Sequence, residues 1–381
     1  GNYPICSDIK SEESKRNIPE SVDIVCAGFP CQAFSKAGSQ KGFMEKTQGT
    51  LFYDICQIVK DRNPKVVFLE NVRNLEKHDS GKTFLFIKSS LEEMGYSVFH
   101  EILNPCHFGI PHYRDRIFIV AIQKTLTDRK GFGFEFPEKI YPQILGKSKW
   151  RSHSMNARII EEMILEKKNI DSVYSISPEE EELINIWNDF VQNVIFFGKK
   201  GGIGVPVWVD YFKWNVSDLE HLQEPSWKKE FIRKNIELYR GNKEFIDSWL
   251  PRINSEKFNP AKRKFEWNMG KVEMRKRNLW RSIIQIRTSG VRASSLDHFP
   301  ALVAMKHIPI YTPYRRRLTP IECARLQSFD VDGKFGNPFV LHDSQESYKQ
   351  LGNSLNVDIV YRIQKRIDSY LSDIIGSDFS G

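Results

Sequence analysis

Nowhere does the sequence run apolar for the roughly 18 residues that a membrane-crossing helix needs, and its start carries no secretory leader. Neither a membrane span nor export is therefore expected. Its six cysteines include no Cys-x-x-Cys pair and no zinc-ligand spacing, so no metal site is expected. Most of them lie inside apolar runs, which suits free thiols in a reducing cytoplasm. Tryptophan is missing from residues 1–149 and 281–381; all eight fall between Trp150 and Trp280. One glycine-dense stretch, Gly198 to Gly204, is followed by Pro206 and an aromatic, strand-like run. A nucleotide-binding loop opens a helix instead, so that reading is excluded. The first residue is Gly1, not Met, which hints at preceding polypeptide.

What is present is unevenly spread. A chain of 381 residues has room for two domains, and 27% charged residues with a negative mean hydropathy suit a soluble protein. The net charge is +8, yet residues 251–320 alone hold 16 Lys and Arg against four acids. So local an excess attracts polyanions, nucleic acid above all, unless it is only a solvated basic face. The abrupt start of the tryptophans marks a domain boundary within 123–149. Most of those rings are expected to form the core of a small domain.

Val22-Asp23-Ile24-Val25-Cys26 reads as a buried strand, and Gly28, Pro30 and Cys31 follow where it should end. Cys31 thus sits on a loop at a sheet's C-terminal edge, where ligands bind in open α/β sheets. A Pro-Cys alone is more often an inert apolar thiol than a nucleophile. Pro64 to Val72 is a second buried strand, and it ends in Glu70-Asn71. A carboxylate there is costly without a task or a partner. Leu85, Ile87, Leu91 and Met94 are expected on one face of a helix. Arg114 and Arg116 alternate ahead of an apolar strand, which puts both guanidinium groups on one side, facing a base carbonyl or a phosphate; a structural ion pair is the plainer reading. Arg287-Thr288-Ser289-Gly290-Val291-Arg292 suits a loop entering a DNA groove, with Arg287, Thr288 and Arg292 as contacts. Thr319, Pro320 and Glu322 have the spacing of a capped helix start.

Gly28-Phe29-Pro30-Cys31-Gln32-Ala33-Phe34-Ser35 resembles the nucleophile motif of the DNA (cytosine-5) methyltransferases of bacterial restriction-modification systems. Further matches follow in the family's order: Glu70-Asn71-Val72, Arg114-Asp115-Arg116, Arg317 to Gln327, and Gln350 to Ser354. The resemblance runs from Asp8 onward and is thinnest between about 150 and 285. It implies an α/β fold, a Rossmann-like doubly wound sheet that uses S-adenosylmethionine, with a second, smaller DNA-recognition domain. The expected layout is a catalytic part at 1–149, a recognition part at 150–310, and a hinge and return at 311–381.

The resemblance also assigns roles. Cys31 is the nucleophile; Glu70, Arg114 and Arg116 are catalytic; Pro30, Gln32 and Asn71 support them. Asp8, Ile9, Pro30, Leu51, Phe329, Asn353 and Ser354 would hold S-adenosylmethionine. Ser35 would touch double-stranded DNA, ahead of a Gly-, Ser- and Lys-rich stretch at 36–50 like the family's closing loop. His112 stands where many members carry Gln. One family feature is missing: the N-terminal Phe-x-Gly-x-Gly-Gly loop and the acid-ended strand after it. A preceding segment or a separate chain would have to supply them, and an apolar sheet edge should be left exposed. The alternatives are an RNA cytosine-5 methyltransferase and a non-catalytic, sequence-specific DNA-binding protein. The recognition sequence, the partner nuclease and the oligomeric state are not legible.

Overall fold

A computed structural model describes residues 8–30, 51–131, 133–141, 163–164, 170–195, 206–270, 272–303, 307–333 and 344–377. Cys31, Gln32, Ser35 and the stretch at 36–50 lie outside the described residues, as does the glycine-dense stretch near 200. Two compact units emerge. The first holds Gly1–Pro105, Asp115–Ile140 and Asp358–Gly381, the second Cys106–Arg114 and Tyr141–Val357. By compactness, then, residues 311–357 go with the tryptophan-rich unit.

The first unit is built on a four-stranded sheet. Its strands are β1 (Ile24–Gly28), β2 (Val66–Val72), β3 (Tyr96–Leu103) and β5 (Arg116–Gln123), in the order β1-β2-β5-β3. The short β4 (His112–Tyr113) between β3 and β5 belongs to the second unit. β1 and β2 run parallel, joined through helix α1 (Leu51–Arg62), whereas β5 is antiparallel to both β2 and β3. The sheet of this α/β unit is therefore mixed. A parallel neighbour needs a crossover of about a dozen residues or more, usually helical, and the segment from β3 to β5 returns without a helix of that kind.

The sheet is covered by apolar side chains at helical spacing. Phe52, Ile55, Cys56 and Val59 of α1 are buried, as are Phe84, Ile87 and Leu91 of α2 (Lys82–Glu93), in one core with Val67, Leu69, Ile117 and Ile119. Leu85 does not join them; it is exposed, because one residue step turns a helix by about 100° and Phe84 takes the inward position. β1 also departs from expectation. It is half-exposed, not buried, and Cys26 is exposed, because β1 is the outermost of the described strands and has one neighbour.

The second unit carries a six-stranded sheet. Its strands are β6 (Val207–Trp208), β7 (Lys264–Asn268), β8 (Ile283–Arg287), β9 (Gly290–Ser294), β11 (Ile310–Tyr311) and β12 (Arg316–Arg317), in the order β12-β11-β8-β9-β7-β6. β10 (Phe299–Pro300) pairs with β4. Helices α3 (Pro178–Asn193), α4 (Ser226–Gly241) and α5 (Lys243–Ile253) accompany the sheet. Trp187 and Trp249 are fully buried and pack with Phe190 and Phe265, so these tryptophans are core, as composition suggested. Arg287 to Arg292 does not form a loop. It closes the β8–β9 hairpin through a two-residue turn at Thr288 and Ser289.

Two helices follow, α6 (Pro320–Leu326) and α7 (Ser344–Asn353). The expected cap is present at α6: Thr319 Oγ1 accepts from Glu322 N and the Glu322 carboxylate accepts from Thr319 N. The last helix, α8 (Val357–Ser377), enters the first unit from Asp358. No helix among the described residues is long and apolar enough to cross a membrane.

Candidate active site

The ends of β1 and β2 lie side by side. Their register pairs Gly28 with Glu70. A Cβ on Gly28 would come within 3.3 Å of Glu70 Oε2, so the missing side chain makes room for the carboxylate. One residue further, the buried Asn71 donates from Nδ2 to the Phe29 carbonyl at 2.6 Å, while its Oδ1 accepts from Val72 N. The Phe29 ring is buried against Phe52. The chain is thus anchored at Phe29, two residues before Cys31, at the strand end that carries Glu70. Pro30 is exposed. Asn71 acts here on backbone, holding the end of β1 at Phe29.

Arg116, first residue of β5, reaches Glu70 across the sheet. Its Nε lies 2.8 Å from Glu70 Oε1, with both side chains mostly shielded from solvent. Burial pushes the Arg116 guanidinium below its ordinary range, and Glu70 pulls it back up. The backbone next to it is tied as well: Arg116 Nη1 donates to the Asp115 carbonyl, and the Asp115 carboxylate holds Asn104 and Arg73. The result is a carboxylate at a strand end, paired with a half-buried arginine, beside the anchored Phe29.

Arg114 is elsewhere. It is 4% exposed and belongs to the second unit, where Nη1 donates to the Leu302 carbonyl at 2.6 Å. Its Nη2 donates to the carbonyls of Gly352 and Ser354, each at 2.9 Å. The expectation that both guanidinium groups face one side fails. Side chains alternate regularly only within a strand, and β5 begins at Arg116. Arg114 instead ties the C-terminal end of α7 and Ser354 to Leu302, whose N–H is taken by the buried His112 Nε2.

The residues expected around the methyl donor divide between the units. In the first, Asp8 is exposed and caps a turn by accepting from Lys10 N, while Ile9 and Leu51 pack half-buried on the sheet core. In the second, Asn353 is exposed at the end of α7 and Ser354 Oγ donates to the Leu351 carbonyl. Phe329 packs on the core around Leu326 and Leu351. Asp8 and Asn353 are both exposed, each on its own unit.

The family model for C-5 cytosine-specific DNA methylase matches residues 2–369. The chain belongs to the C-5 cytosine-specific DNA methylases. Among its relatives, the Type II methyltransferase M.AluI of Cellulosimicrobium cellulans is 28% identical, over 95% of this chain and 83% of its own. M.BanI of Aneurinibacillus aneurinilyticus is 30% identical over 91% and 80%. M.HpaII of Haemophilus parainfluenzae reaches 47%, over 37% of this chain and 38% of its own.

In this cytosine-5 methylase, residues outside the expected site also tie the ends of α6 and α7 together. Gln327, fully buried, donates to the carbonyls of Leu351 and Ser354, and Asn356 Nδ2 donates to the Leu326 carbonyl. Arg287 and Arg292, expected on DNA, both pair with Glu266, while Thr288 is exposed in the turn. Nothing in the local pattern around Glu266 pointed to that role.

Proposed function

We propose that this DNA cytosine-5 methyltransferase works on a cytosine turned out of the duplex, since the reacting carbons are otherwise shielded by stacking. Cys31, as thiolate, attacks C6. Glu70 holds N3 and the exocyclic amine, offsetting the charge that develops as the ring becomes an enamine. Arg116 fixes the Glu70 carboxylate and the base carbonyl. C5 then carries the new methyl group, and loss of the C5 proton restores the ring as the C6–S bond breaks and Cys31 leaves. Pro30 and Gln32 shape the nucleophile's loop. S-adenosylmethionine supplies the methyl group when bound, held by Asp8, Ile9, Pro30, Leu51, Phe329, Asn353 and Ser354. Ser35, Arg287, Thr288 and Arg292 contact DNA. The product protects host DNA from a cognate nuclease in the cytoplasm.

The observation that carries this reading is the Glu70–Arg116 pair set beside Gly28 and the anchored Phe29. The glycine loop for the donor comes from polypeptide outside this sequence, preceding it or on a second chain, and the half-exposed outer strand β1 supports such a neighbour. The test is tritium release from C5 of cytosine in duplex DNA, because exchange needs the nucleophile and the base pocket but no methyl donor. Release by the chain and none by Cys31→Ser is expected. Equal release from both would end the mechanism. Folded, DNA-bound protein without release would favour a non-catalytic binder.

A further inference from the structure

A glutamate and two arginines of a hairpin more than twenty residues further on meet on the second unit's sheet. Glu266 on β7 lies in register with Arg292 on β9, and Arg287 ends β8. Arg287 Nη2 donates to Glu266 Oε1 at 2.7 Å. Arg292 brings Nε to 2.7 Å and Nη2 to 2.5 Å of Oε2. One carboxylate thus serves two guanidinium groups, leaving one positive charge over. The packing is close, because a Cβ on Gly290 would sit 2.8 Å from the Lys264 carbonyl oxygen. The hairpin tip is therefore fixed against β7.

A pair that only stabilises the fold needs one arginine per carboxylate. Here a second arginine adds repulsion and an uncompensated charge within the basic segment. Arg287 Nε is buried without a hydrogen-bond partner, so the arrangement is not optimised for internal satisfaction. The side chains of Arg287 and Arg292 keep 19% and 31% of their exposure. Each guanidinium has five N–H donors, more than Glu266 occupies. Donors in fixed positions are left for outside acceptors.

We propose that Glu266 is a positioning residue for DNA specificity. It holds Arg287 and Arg292 as a rigid pair whose remaining donors meet a matching pair of acceptors on duplex DNA. It also cancels charge that would otherwise reward any phosphate. The inference rests on the reading of both arginines as DNA contacts. The acceptors are a guanine edge or adjacent phosphate oxygens, which offer the same paired geometry.

The experiment measures binding by the full chain to a random-sequence duplex across a salt series, and enrichment from a randomised duplex pool. Glu266→Gln is expected to bind the random duplex roughly 3–10-fold more tightly, with a salt slope steeper by about one, and to flatten the enrichment. Glu266→Asp keeps the charge but shortens the reach. It should weaken enrichment while random-duplex affinity stays within about twofold, a split that loss of structural support alone does not produce. If a base supplies the acceptors, Arg287→Gln and Arg292→Gln lose selection at one or two positions. If phosphates do, all sequences weaken alike, the salt slope falls by about one and enrichment is unchanged, which overturns the specificity role.

Silent Glu266 variants beside effective arginine variants would overturn the inference alone. Silent arginine variants would remove the DNA-contact reading, and the inference with it. Should Glu266→Gln melt below the assay temperature, unchanged enrichment by Glu266→Asp is by itself enough to overturn the positioning role.

Discussion

Glu70–Arg116 in the first unit and Glu322–Arg316 in the second are both glutamate–arginine pairs, but their carboxylates are used differently. Glu322 is completely buried; it takes both Nη1 and Nη2 of Arg316 at 2.8 Å and also caps α6 through Thr319 N. Both oxygens are spent on internal donors. Glu70 Oε1 lies 2.8 Å from Arg116 Nε, and a Cβ on Gly28 at the neighbouring strand end would come within 3.3 Å of its Oε2. Both side chains there retain some solvent contact, at 14% and 18%. The first arrangement fixes a helix start. The second places a carboxylate beside the end of β1. Residue type and pairing are the same, and the location at a strand end beside Gly28 is what sets Glu70 apart in the chemistry proposed for it.

The contrast can be broken by substitution. Arg316→Met strands a fully buried carboxylate, and a loss of about 3–5 kcal/mol in unfolding free energy is expected by denaturant titration. Should Arg316→Met unfold like wild type, the pair is not architectural. Glu70→Gln keeps the shape but not the charge. Tritium release should fall about 100-fold or more with little change in melting temperature; the reverse pattern would erase the distinction between the pairs. Gly28→Ala sharpens it further. The added Cβ pushes on Oε2 by a few tenths of an ångström, so a loss of about tenfold in exchange is expected from misplacement alone, and Gly28→Ala with wild-type exchange would show that the carboxylate has other room.

The smallest effect is on pH dependence. Burial lowers the pKa of His100 in the first unit and of His298 in the second, against smaller opposing pulls from nearby acids. The His298 ring lies against Tyr113, and desolvation favours its neutral form. Each imidazole ordinarily titrates near 6.5, so below that value the unfolded chain binds protons that the folded chain refuses. Stability from these two groups is complete above about pH 6.5 and is lost as the pH falls through the window beneath it. A slight fall in melting temperature between neutral and mildly acidic buffer is expected. His298→Phe should flatten that slope, and an unchanged slope would show that the ring does not contribute.

The local pattern was enough to place Glu70 at the end of a buried strand, to cap α6 with Thr319 and Glu322, and to bury tryptophans in the second unit. These features depend on neighbours within a few residues, or on apolar runs whose burial is their lowest free energy. Tertiary structure decided the rest. Arg114 and Arg116 are two residues apart, yet one binds main-chain carbonyls of Leu302, Gly352 and Ser354 and the other binds Glu70. Strand alternation has no force where the strand has not begun. Arg287 and Arg292 found Glu266 at separations of 21 and 26 residues, through strand register that no local pattern encodes. A side chain's type and its nearest neighbours are written in the chain. Which partner satisfies its charge is settled only when distant strands come within hydrogen-bonding distance, because burial makes an unpaired charge too costly to leave.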